Sequence, residues 1–127
     1  MPDWSIKIVP GATAQFVPDI EGAKPGDTLV AQEADLISWN NTTDQPCQPW
    51  PTDAAGNPLP DNLVSTTIGN YLSDEIPPNR SSSPAYVVVM QKSGPVITYC
   101  CKKNPRVRGT IEVTPIPQAL KVPSIGS

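Results

Sequence analysis

The chain has 127 residues, enough for one domain that buries its own core, and its 17 prolines and 8 glycines break it into pieces too short for long helices. A formal net charge of −3 argues against a general nucleic-acid or membrane-surface role. With no histidine and only three cysteines, the chain lacks the side chain on which most general-base schemes and most metal sites rely.

Met1-Pro2-Asp3-Trp4 carries neither the basic region nor the apolar run of a secretory leader, and no apolar run elsewhere reaches membrane-spanning length. Residues 5–9 alternate, with Ile6 and Ile8 on one face and Lys7 on the other, which predicts a first strand closed by Pro10-Gly11. Gln15-Phe16-Val17 leads through a turn-rich stretch to Lys24-Pro25-Gly26-Asp27, a turn that hands over to a strand at Thr28-Leu29-Val30. A second hydrophobic strand follows at Leu36-Ile37-Ser38-Trp39-Asn40-Asn41. Asn40, Asn41 and Asn79 each open an Asn-x-Ser/Thr sequon.

Residues 48–84 hold seven prolines, and so long a connection in a small domain is either functional or laid down as an ordered surface loop. Within it, 63–64 and 68–72 suit a short strand or a helical turn equally. Ala85-Tyr86-Val87-Val88-Val89-Met90 has the highest strand propensity in the chain, and Ser93-Gly94-Pro95 is expected to fold it back on 96–101 as an antiparallel hairpin. A last strand at 110–113 ends at Pro115. About seven strands result, an all-β Greek-key sandwich over residues 1–114 with a long Pro-rich loop, followed by a proline-containing tail or linker at 115–127.

The run from Ile97 through Tyr99, Cys100 and Cys101 to Lys102, Lys103, Asn104, Pro105, Arg106, Val107, Arg108, Gly109 and Val113 resembles the ligand loop of the cupredoxins, the amicyanin- and plastocyanin-like blue-copper proteins. There the pattern is Tyr-x-Tyr-x-Cys-x-x-His-x-x-Met-x-Gly-x-Val-x-Val, with Cys, His and Met on copper. Gly26-Asp27-Thr28 before a strand, and the strand ending Trp39-Asn40-Asn41, are similar to the same family. The resemblance covers about residues 26–113. It implies a cupredoxin-like sandwich, and it places the thiolate at Cys101, the imidazole at Asn104, the axial thioether at Val107 and the first histidine at Cys47. Only the cysteines retain a metal-binding side chain, so a type 1 site needing two imidazoles cannot form.

On this register the Cys47 and Cys101 sulfurs share one pocket at the end of the sandwich, as a disulfide, as a soft Cu(I) site, or as two inert thiols. Trp50 is placed to line that pocket. Cys100, by alternation, faces away, and its reading is a reactive or ligating thiol or a thiol under a neighbouring loop. Lys102, Lys103, Arg106 and Arg108 put four cations at the end that a cupredoxin presents to its electron-transfer partner, an expected docking patch for a protein partner if not simply a solvated loop. The functional expectation is a non-enzymatic module with a degenerate copper centre, structural or partner-binding, with no cofactor. Cu(I)-thiolate or redox chemistry and copper-dependent electron transfer are the alternatives. The family resemblance implies a periplasmic or extracellular location, although no leader lies in this chain.

Overall fold

In the computed structural model, which describes residues 3–10 and 15–116, nine strands form two mixed sheets. The first sheet carries β1 (Asp3–Val9), β2 (Gln15–Pro18), β4 (Leu36–Asn41), β6 (Arg80–Ser81) and β7 (Tyr86–Val87), in the order β2-β1-β4-β6 with β7 also on β4. The second carries β3 (Thr28–Gln32), β5 (Pro49–Pro51), β8 (Val96–Cys101) and β9 (Asn104–Thr114), in the order β3-β9-β8-β5. Two parallel pairings, β1 with β4 and β3 with β9, mark where the chain crosses between layers.

Period-two burial explains why these segments are strands. In β9, Val107, Gly109, Ile111 and Val113 face inward between exposed Arg106, Arg108 and Glu112, while in β4 Ile37, Trp39 and Asn41 face inward. The inward sets meet as one apolar core, with Trp39, Tyr99 and Phe16 at its centre and each almost wholly enclosed. Burying side chains of this size contributes about 1.5–3 kcal/mol each. The Trp39 indole N–H donates to the Tyr99 hydroxyl at 3.2 Å, across the gap between the sheets, and the Phe16 and Tyr99 rings stand 4.6 Å apart. Gly109 is paired with Tyr99, and a Cβ there would run into the tyrosine ring.

Two expectations require correction. The 85–90 segment does not form a hairpin with 96–101: only Tyr86–Val87 is a strand, and it pairs with β4 in the opposite sheet. β8 already has β9 on one side and β5 on the other, so propensity made 85–90 extended without choosing its neighbour. The cationic stretch is not an open loop either, because β9 begins at Asn104 and only Lys102 and Lys103 separate it from β8. The Pro-rich excursion has internal order: a 3-10 turn at Asp61–Leu63 and isolated bridges of Thr52 with Pro58 and of Cys47 with Ile76. Asn79 takes the left-handed conformation, φ 60°, at a turn position where glycine is usual. Of the tail expected at 115–127, residues 117–127 lie outside the described residues.

Candidate functional site

Cys101 closes β8, and its register partner across the two-residue turn is Asn104, three residues away from the Val107 that the Cys100–Arg108 register would bring opposite it. That break in register leaves Pro105, Arg106 and Val107 of β9 with no partner on β8. Cys101 faces the core and is bonded to Cys47, with 5.3 Å between the Cα atoms. Both residues are about 5% exposed or less, so solvent reaches the bond poorly. Cys47 is fixed from the other side by a two-way backbone bridge to Ile76, 3.1 and 2.8 Å, and the chain just after it is tied to β8's end by Lys102 N–H donating to the Gln48 carbonyl at 2.9 Å.

Asn41, fully enclosed at the end of β4, shapes the approach to Cys47. Its Nδ2 donates to the carbonyls of Gln45 (2.7 Å) and Ile76 (3.1 Å), and its Oδ1 accepts from the Thr43 amide (3.0 Å) and hydroxyl (2.6 Å). A buried amide with both ends satisfied stabilises one loop conformation rather than a family of them. Enclosure also means that its sequon presents no accessible amide nitrogen.

The other positions of the presumed ligand set are dispersed. Asn104 is exposed at the turn, and Val107 is packed in the core. With both cysteines in a covalent bond, an exposed amide and a buried isopropyl group, this donor set does not fit a type 1 copper centre.

Trp50, expected to line the disulfide pocket, lies on the other side of the second sheet. It pairs in register with Cys100, outside the apolar core, and its indole N–H donates to the Leu59 carbonyl at 2.7 Å. Cys100 is a free thiol with no exposed surface; burial pushes its pKa from the ordinary 9.0 up to about 11, with the nearby Arg108 cation pulling weakly the other way. It is the thiol beneath a neighbouring loop.

The four cations divide in two. Lys102 Nζ sits 3.9 Å from the centre of the Trp50 ring and 3.0 Å from the Asp61 carboxylate, while Lys103 pairs with Glu75 at 3.3 Å. Both acids belong to the Pro-rich excursion, so these lysines clasp it to the β8–β9 turn. Arg106 and Arg108 remain exposed, the Arg108 Nε–H donating to the Pro105 carbonyl at 3.2 Å and its guanidinium lying over Gly56. Sequence reasoning passed over Asp61 and Glu75, although acids inside a loop that must return past a cationic turn were a readable signal.

No family model matches the chain, and no curated protein matches it. Among solved structures it is similar to the multicopper oxidase mgLAC, at 17% identity over 94% of this chain with a TM-score of 0.46, and to a second multicopper oxidase, at 18% identity over 89% with a TM-score of 0.43. The chain spans 40% and 41% of the length of those two proteins.

Proposed function

We propose that the chain is a non-enzymatic, cupredoxin-like module whose copper end has been replaced by a covalent clasp, serving a structural or partner-binding role. The observation that carries this reading is the Cys47–Cys101 disulfide lying at the two positions where the family's motifs would put ligands. A disulfide sulfur has given up the thiolate that a metal would take, and it cross-links the loop after β4 to the end of β8. Such a bond persists in an oxidising compartment, which favours the periplasm or the cell exterior. Arg106 and Arg108 are the cations left for an acidic protein partner.

Alkylation and mass spectrometry test the proposal. The denatured, unreduced protein should take one alkyl group, on Cys100, and the reduced protein three. Three groups before reduction would overturn it. Adding Cu(II) should leave the protein colourless, and a strong band at about 600 nm would reject the degenerate-site reading.

A second reading is favoured by the nearness of the two sulfurs: once reduced, the pair is suited to bind Cu(I), which accepts two soft thiolates. Anaerobic Cu(I) titration of wild type against Cys47→Ser and Cys101→Ser decides it, since equal uptake by all three removes the site.

A further inference from the structure

Among the described residues, Arg108 is the cation near the β8–β9 turn that is held still without being paired. Lys102 and Lys103 have their carboxylates, and none lies within ion-pair distance of Arg108. Its guanidinium is nevertheless fixed twice, by the Nε–H bond to the Pro105 carbonyl at 3.2 Å and by contact with Gly56. A Cβ built on Gly56 would stand 2.6, 2.7 and 2.8 Å from Cζ, Nη2 and Nη1, distances so nearly equal that the flat of the group must lie on the glycine. Gly56 is buried beneath it with a φ of 91°, so the close approach and the left-handed backbone both require glycine. What remains is the outer edge, Nη1 and Nη2, with no acceptor among the described residues. A planar fork whose orientation is already set loses little freedom when it binds a planar anion.

That edge borders a cleft of about 240 Å³ on the outer face of the second sheet, beside the turn at 53–57. Threonines line it: Thr98 and Thr110 are register partners on β8 and β9, and the Thr52 hydroxyl lies 2.8 Å from that of Thr98. The Thr110 hydroxyl has no partner among the described residues and is free to donate. The formal charges on the walls are those of Arg108 and Asp53. Asp53 directs Oδ1 to the Ala55 and Asn57 amides, both at 2.9 Å, but its charge still disfavours a dianion over a singly charged carboxylate. Tyr99, the aromatic residue on the cleft, keeps its ring in the core, so no ring face is offered to a sugar. Arg106, exposed and likewise unpaired among the described residues, stands two positions back on the same side of β9.

We propose that this cleft seats an aspartate or glutamate side chain of a protein partner, its carboxylate held by Nη1 and Nη2 of Arg108 and bonded by the Thr110 hydroxyl. Arg106 attracts a second acid of the same segment without gripping it. The inference rests on the partner-binding reading above and sharpens it: one arginine recognises and the other steers.

The test is a titration of the full ¹⁵N-labelled chain, at low salt, with an acetylated, amidated Gly-Glu-Gly-Glu-Gly peptide. Saturable shifts are expected at the Arg108 Nε–H and at the Gly56 and Thr110 amides, and the corresponding glutamine peptide should produce none. Arg108→Lys keeps the charge and loses the fork, so binding should weaken roughly tenfold, whereas Arg106→Lys should change it less than about twofold. Gly56→Ala puts a methyl group where the guanidinium lies and should weaken binding as Arg108→Lys does. Should that variant disturb its turn, the comparison of the two lysine variants decides the matter. The proposal is overturned if the Arg108 and Gly56 signals do not respond, or if the two lysine variants lose equally, which leaves only general charge attraction. It is likewise overturned if inorganic phosphate binds as tightly as the peptide, which makes the cleft a site for an adventitious ion only, or if glucuronate binds more tightly, which makes the occupant a saccharide. Arg108 lies on the sheet face opposite the disulfide, so the two readings fail separately. Three thiols before reduction would remove the clasp and leave this site standing, and an unresponsive Arg108 beside a single free thiol would remove this site alone.

Discussion

Cys100 and Cys101 are neighbours in sequence with opposite fates, and the difference lies in which face of the second sheet each one joins. Cys101 turns into the core, where the loop held by Asn41 delivers Cys47, and the pair becomes a covalent link. Cys100 turns outward, where Trp50 and the Pro-rich excursion cover it with no second sulfur within reach. Strand alternation sends the two neighbours to opposite faces, and both are buried because both faces of β8 are covered at that end. One face is held by a bond that ignores salt and pH; the other is held by a tryptophan, a lysine and two surface ion pairs.

The sharpest way to break the contrast is to remove the link. Replacing Cys47 and Cys101 together by alanine frees a loop with a sequence separation of 54, and chain-entropy reasoning puts the loss at up to about 4 kcal/mol, read from urea unfolding. Cys100→Ser puts a hydroxyl where a thiol needed no partner, and the expected cost is about 1–2 kcal/mol by the same assay. If the two losses came out equal, the assignment of one face as clasp and the other as cover would fail.

Titration gives a subtler probe. The folded pKa of Cys100 is raised above its unfolded value, so the stability it contributes is fully present below about pH 9 and is lost as the pH rises toward about 11. Tyr86, pushed by burial from 10.0 to about 12, acts in the same direction at still higher pH. Subtracting the pH–stability curve of Cys100→Ala isolates the thiol, and parallel curves from pH 9 to 11 would contradict its burial. The smallest effects belong to the ion pairs. Lys102→Ala, which also loses the contact with the Trp50 ring, is expected to cost about 1 kcal/mol, and Lys103→Ala, on a largely exposed pair, about 0.2–0.5 kcal/mol that disappears in high salt.

The all-β class was readable because Ile6, Ile8, Ile37, Trp39, Ile111 and Val113 alternate with polar neighbours, and alternation is a local property. The disulfide partners were within reach once the motif resemblance aligned Cys47 with Cys101, although the residues alone left the bond, a metal and free thiols open. Trp50 was misplaced because the variable loop after Cys47 hides the face on which a residue three positions later will lie. Residues 85–90 were misassigned because propensity describes a segment and not its neighbour.

What the amino-acid order settled by itself was therefore local: extended segments, breaks at proline and glycine, and the lack of any imidazole to hold copper. Which strands sit side by side, which two of three thiols meet, and which cations are taken up by Asp61 and Glu75 were decided only by tertiary structure. Each of these is a contact between residues distant in sequence, set by the packing of two sheets around Trp39, Tyr99 and Phe16. No window along the chain contains that packing.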